Sequence, residues 1–147
     1  MPGDTMRDTS EWLEEWRDAP YAYLTTTGRK TGRPHRIEIW FAVHEGRMYL
    51  MSGGRDRADW VRNIMASGHV TVELGDESRA GIASVIEAGA PEDTLARDLL
   101  VDKYATATNP LVDWKRRSLP VVIDFRAHPA GSRSVLQGDA AGRRKDA

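Results

Sequence analysis

Four cations, Arg29, Lys30, Arg33 and Arg36, crowd the stretch Thr27-Gly28-Arg29-Lys30-Thr31-Gly32-Arg33-Pro34-His35-Arg36. Gly28 and Gly32 free the backbone to bend there. Main-chain N–H groups in such a bend can converge on an anion, while Arg and Lys add charge and forked hydrogen bonds. A second bend, Ser52-Gly53-Gly54-Arg55-Asp56-Arg57, repeats this chemistry at an expected helix N-terminus, which itself favours anions. Between the bends lie two apolar strands. The arrangement predicts a pocket with a cationic mouth and a flat hydrophobic floor, suited to a planar ligand with a negatively charged tail. A solvated turn would explain either bend alone. Two of them flanking one apolar hairpin argue for a site.

Other chemistries find less support. Ser52 has no Gly-x-Ser-x-Gly elbow around it and no identifiable base, which argues against a hydrolase. The chain has no cysteine, so disulfides, thiolate metal sites and a cysteine nucleophile are excluded. His35, His44, His69 and His128 are scattered, without an i,i+4 pair, and no metal site is expected. With 21 basic and 22 acidic residues and a formal charge of -1, the chain is no general nucleic-acid binder. No strand interleaves aromatic and basic residues in the manner of a single-strand binder either. No run approaches the ~18 apolar residues of a membrane span, and the N-terminus lacks a signal-peptide core, so a cytoplasmic location is expected.

The elements that must position the bends follow from residue patterning. At 147 residues with 40% apolar content, the chain suits one domain with its own core. The expected domain spans residues 8–130, with residues 1–7 and 131–147 as disordered tails. Trp12, Leu13 and Trp16 form one helical stripe, capped by Thr9 or Ser10, as core or dimer contacts. Tyr21–Thr26 reads as a strand. Residues 36–43 alternate, with Ile37, Ile39, Phe41 and Val43 on one face and Arg36, Glu38 and Trp40 on the other. Residues 44–47 then turn into the strand 48–51, completing a hairpin. A helix over 56–66 carries Trp60, Ile64 and Met65 inward. Strands at 69–74 and 79–87, a helix at 91–104 begun by Pro91-Glu92-Asp93, and a final strand at 120–126 complete the order. Five or more strands joined by short turns cannot be parallel. A small antiparallel barrel with helices outside, of α+β class, resolves the sheet edges. Tyr104 and Trp114 stand where they could roof a substrate pocket.

The run Leu24-Thr25-Thr26-Thr27-Gly28-Arg29-Lys30-Thr31-Gly32, then Ser52-Gly53-Gly54, then Trp60-Val61-Arg62-Asn63 resembles the deazaflavin-dependent nitroreductase family. That family consists of split-barrel oxidoreductases related to the pyridoxamine-phosphate oxidase and FMN-binding fold. The resemblance implies that reduced coenzyme F420 binds in the barrel groove and supplies hydride to a quinone-like, nitro or other conjugated small molecule, in a homodimer. Arg29, Lys30 and Thr31 would then hold its phosphate or carboxylate tail. His35, Arg36, Ile37, Glu38, Ile39 and Trp40 would run beside the ring, with backbone groups of Ile37 and Ile39 toward its polar edges. Met51, Ser52 and Gly53 would border the ring, and Asp59, Trp60, Val61, Arg62 and Asn63 would close the tail side.

The chain departs from the family where Ile37-Glu38-Ile39-Trp40 replaces a Thr-Pro-Leu type sequence. The missing proline restores a strand donor, and Glu38 brings a carboxylate to the pocket side beside Arg36. Related split barrels bind FMN, FAD or haem, whose phosphates or propionates the same mouth would accept, in a carrier, sensor or flavin reductase. For hydride transfer the cofactor carries the hard chemistry, so no dyad or triad is required. Solvent, Tyr104 and Glu38 are the candidate proton sources.

Overall fold

Seven strands in the order β2-β1-β5-β6-β7-β4-β3 form one sheet in the computed structural model, which describes residues 8–125. Every pairing is antiparallel. The strands are β1 Ala22–Thr27, β2 Pro34–Ile39, β3 Ala42–His44, β4 Arg47–Ser52, β5 His69–Leu74, β6 Glu77–Val85 and β7 Leu119–Asp124. The outermost strands, β2 and β3, are consecutive in the chain, with only Trp40 and Phe41 between them. Three Cα steps from Ile39 to Ala42 span at most ~11 Å, whereas a flat seven-stranded sheet would hold its edges ~29 Å apart. The sheet must therefore curl until its edges nearly meet. A split antiparallel β-barrel of α+β class results, as expected. The expected tails and the 126–130 boundary lie outside the described residues.

This curl corrects one expectation. Residues 36–43 do not form one strand paired with 48–51. The chain breaks at Trp40-Phe41, β2 pairs with β1, and only β3 forms the hairpin with β4. The alternation stays in phase across the break, because Phe41 and Val43 are buried while Ile37 and Ile39 pack against the same core. Periodicity alone does not reveal a corner. The β3–β4 turn places Glu45 and Gly46 at φ 49° and 79°, the mirror-image turn that twists with its strands.

Among the described residues, four helices cover the barrel: α1 Thr9–Glu15, α2 Asp59–Ala66, α3 Pro91–Tyr104 and α4 Val112–Arg117. The α1 cap is Asp8 rather than Thr9 or Ser10, its carboxylate accepting from the Glu11 N–H at 2.9 Å. Trp12 and Leu13 are fully buried, and Trp12 meets Phe125 edge-on at 5.6 Å. Trp16 packs beside them, against the tight turn at Gly75 (φ 66°), where a Cβ would lie 2.2 Å from the indole. A short 3-10 turn, Arg55–Arg57, precedes α2. This helix buries Val61, Asn63 and Ile64 and leaves Met65 62% exposed. Met65 falls just past the inward stripe. α4 was not anticipated, since six residues with three terminal cations show no apolar period.

Strands β4 and β7 are buried on both faces. Met48 and Leu50 of β4 join the barrel core, while Tyr49 and Met51 face a second core made with Ala96 and Leu100 of α3. Glu92, in the first turn of α3, accepts from the Tyr49 hydroxyl and from Arg47 at 2.6 Å each. Burial and this carboxylate push the Tyr49 phenol up to about 12.

At the other end of α3, Lys103 donates to the carbonyls of Arg17 (2.8 Å) and Phe41 (3.0 Å) and lies 3.6 Å from the Phe41 ring centroid. Burial lowers this ammonium to about 8, opposed in part by Asp18 and assisted by Arg17. An unfolded lysine keeps its proton to about 10.4. The unfolded chain therefore binds the extra proton between these values, and the contribution of Lys103 to stability rises with pH from about 8 to 10. Above about 10 the raised Tyr49 and Tyr104 phenols act the other way. The melting temperature of the wild type minus that of Lys103→Met is expected to climb from pH 7 to pH 10. A flat difference would refute the assignment.

Candidate functional site

The first bend closes the β1–β2 hairpin. Gly28 N–H donates to the Arg33 carbonyl at 2.7 Å, and Gly32 N–H to the Gly28 carbonyl at 2.9 Å. Thr31 Oγ1 accepts from the Arg33 amide at 3.1 Å. The bend is then fastened to α2 by one buried side chain. Asn63 Oδ1 accepts from the Arg29 amide (3.1 Å) and guanidinium (2.9 Å), while its Nδ2 donates to Thr26 Oγ1 at 3.0 Å. Arg29 also meets the exposed Asp59 carboxylate at 3.1 Å. Much of its charge is thus neutralised in place. What remains presented to a ligand is Lys30 and the amides of Lys30 and Thr31, which have no acceptor among the described residues. Gly28, Arg29, Lys30, Thr31, His35, Asp59 and Asn63 line a cleft of about 220 Å³.

The second bend is organised differently. Ser52, 3% exposed, donates its hydroxyl to the Arg55 carbonyl at 3.0 Å. Arg55 adopts a left-handed φ of 54°, and its guanidinium donates to the Arg117 carbonyl at 2.5 Å. The bend is thereby stapled to the C-terminus of α4. Gly53, Arg55, Arg57 and Arg117 line a second cleft of about 370 Å³.

Three aromatic side chains form a wall that reaches this bend through Trp114. Trp40, at the corner between β2 and β3, stacks on Tyr104 with centroids 4.2 Å apart and planes within 2°. Trp114 of α4 meets Trp40 edge-on at 5.5 Å. Its indole nitrogen lies 3.4 Å from where a Cβ on Gly53 would project, so the second bend abuts the aromatic wall. The Tyr104 hydroxyl is occupied: it accepts from the Phe41 amide at 3.2 Å and faces the carbonyls of Pro20 (2.9 Å) and Phe41 (3.3 Å). Burial raises its pKa.

The sequence-predicted residues divide accordingly. Arg29, Lys30, Thr31, His35, Asp59 and Asn63 come together in the first cleft. Arg36 and Glu38 do not join them. Arg36 pairs with Glu73 across β1 (2.8 and 3.0 Å), its guanidinium over the Tyr23 ring, rather than with Glu38. The register explains this, because Glu38 and Glu73 both lie opposite Tyr23 and only Glu73 extends back to Arg36. Ile37 and Ile39 turn their side chains to the core. Met51 and Val61 are buried at 5% and 0%, which leaves their side chains no ligand-facing surface. Arg62 donates to the Asp56 carbonyl at 3.1 Å, and Trp60 packs on the core.

The expected single mouth is two clefts with no lining residue in common, joined through α2 and the turn before it. Arg117 was missed. The run Lys115-Arg116-Arg117 was its available signal, of which Lys115 pairs with Asp98 and Arg116 with Asp113.

The fold recurs among solved structures. The chain is similar to an F420-H2 dependent reductase, FDR-A, with 23% identity over 72% of this chain and 95% of that one and a TM-score of 0.59. It is also similar to the haem storage protein HutZ of Vibrio cholerae, with 13% identity, 81% and 91% coverage and a TM-score of 0.62. A third likeness is to a protein described as a pyridoxamine 5′-phosphate oxidase from Listeria innocua, at 17% identity, 78% and 90% coverage and a TM-score of 0.55. At these identities the likenesses establish a shared split barrel. A family model matching residues 4–126 goes further, and with it the chain belongs to the F420H(2)-dependent quinone reductase family.

Proposed function

We propose that the protein is an F420-dependent reductase that passes hydride to a quinone-like or otherwise conjugated small molecule. The observation that carries this reading is the first cleft, lined by Lys30 and Thr31, whose amides have no acceptor among the described residues, on a bend locked by Asn63. Such a donor set fits a phosphodiester or carboxylate tail, and the family match supports deazaflavin as its owner. When bound, the cofactor supplies the hydride. The chain's own part is to hold the tail with Lys30 and Thr31, to lay Gly53 beside the reacting ring, and to offer the Trp114 wall to the substrate. Glu38 is exposed and Tyr104 is committed to backbone, so the product's proton is assigned to solvent. The same proposal places the chain in the cytoplasm as a homodimer, which sedimentation would check. No helix among the described residues is long and apolar enough to cross a membrane.

Titration with F420, followed by its fluorescence, tests the reading, and absence of binding at tens of micromolar would discard it. In that assay Lys30→Ala is expected to weaken binding by about 1–3 kcal/mol, the range of a charge-assisted hydrogen bond. Its melting temperature should hold, because Lys30 is exposed and makes no packing contact of note. Normal binding with an early melt would make the bend structural instead. A flavin or haem carrier would declare itself by the colour of the purified protein, since its cofactor stays bound.

A further inference from the structure

The cleft of Gly53, Arg55, Arg57 and Arg117 has no part in holding the tail, yet its construction is specific. Its lining includes three arginines and, among the described residues, no carboxylate-bearing residue. Arg55 is fixed from both sides: the buried Ser52 hydroxyl holds its carbonyl, and its own guanidinium holds the Arg117 carbonyl. It is kept there at φ 54°, a conformation that costs a non-glycine residue energy and persists only where the surroundings impose it. That contact also satisfies one carbonyl at the end of α4 that would otherwise repel an anion. Arg57 and Arg117 are exposed, and their guanidiniums have no acceptor among the described residues. The nearest carboxylates in sequence are engaged or outside the lining. Asp113 pairs with Arg116 at 3.0 Å, and Asp56 does not reach the cleft. Along one edge, Gly53 brings the cleft against the Trp114 indole and thence the Trp40–Tyr104 stack.

We infer that this cleft selects substrates carrying an acidic group on a conjugated ring, with Arg57 and Arg117 taking the carboxylate or sulfonate and the Trp114 wall taking the ring. Calling that ligand a substrate rests on the proposed function. Its binding does not. Two guanidiniums with open donors beside an aromatic face match the two halves of such a molecule, since forked donors suit a planar or tetrahedral oxyanion and the indole suits a ring. An uncharged quinone would use only the wall.

Equilibrium dialysis of the protein without cofactor tests this, using a naphthoquinone sulfonate and the unsubstituted naphthoquinone as probes. The sulfonate is expected to bind about tenfold tighter, the ratio that one retained charge-assisted hydrogen bond supports, and added salt should narrow the gap. The double variant Arg57→Ala, Arg117→Ala should lose that preference and keep the neutral quinone's affinity. Both residues are exposed and have no partner among the described residues, so the fold should persist, as a melting curve would verify. F420 titration of the same variant should match the wild type. Equal binding of the two probes by the wild type, or a preference that survives in the variant, would overturn the inference. Loss of F420 binding in the variant would overturn it too, because the guanidiniums would then serve the cofactor. If the wild type discriminates between the probes but fails to bind F420, the cofactor reading falls and the cleft's selectivity stands.

Discussion

Asn63→Ala is expected to destabilise the fold by about 2–4 kcal/mol and to weaken F420 binding by about tenfold. Asn63 is 2% exposed and satisfies three groups at once: the Thr26 hydroxyl, the Arg29 amide and the Arg29 guanidinium. Truncation leaves a buried hydroxyl and an amide without partners, each costing about 1–3 kcal/mol, and removes a hydrogen bond to a charged group. These losses are not additive, because one side chain makes all the bonds. The binding effect follows from order, since a bend no longer fastened to α2 must be immobilised when the ligand arrives. Asn63→Asp separates the two effects. Its carboxylate can still accept from Arg29 and from the Thr26 hydroxyl, so most of the stability should return. The added negative charge at the cleft should still depress anion binding. Chemical denaturation and fluorescence titration of both variants would decide the matter. An alanine variant as stable as the wild type would mean that the bend stands unaided.

The pattern of Asn63 shows what the sequence could and could not disclose. The bend Thr27–Arg36 is legible because glycine, proline and charge mark it locally, and the helix at 91–104 is legible because Pro91 and its acidic neighbours announce its start. The strands β5 and β7 are found nearly residue for residue, since their apolar runs are bounded by turn residues. The partners of the bend are another matter. Arg29 is drawn to Asp59 and Asn63, far along the chain, and Arg36 to Glu73 two strands away. Such pairings depend on register across a curled sheet, and no local spacing encodes them. The corner at Trp40-Phe41 escapes notice for a related reason: alternation continues through it undisturbed, and only closure of the sheet requires it. Closure also separates the two bends into distinct clefts, because it inserts α4 and its Arg117 beside the second one.

Tyr104 was a candidate proton donor, and its surroundings turn that possibility into a contrast between two variants. Tyr104→Phe is expected to cost about 1 kcal/mol of stability, the net value of a hydroxyl's hydrogen bonds, and to leave the rate of quinone reduction and its pH profile unchanged. The hydroxyl holds the corner between β2 and β3 by the Phe41 amide and reaches Pro20 at 2.9 Å, so it has work to do other than proton transfer. Tyr104→Ala is expected to cost about 3 kcal/mol, in the lower range for removing an aromatic ring from a packed site. It deletes the ring on which Trp40 is stacked at 4.2 Å and one side of the Lys103 environment. With the stack gone, Trp40 loses its fixed plane, and Trp114, which meets it edge-on, loses its support beside Gly53. Substrate KM should therefore rise in Tyr104→Ala while F420 affinity, read in the first cleft, stays near the wild-type value. Denaturation curves and steady-state kinetics on the two variants measure each part. A fall in kcat for Tyr104→Phe that deepens as pH rises would restore the tyrosine as a proton donor. It would also show that its backbone contacts open during turnover.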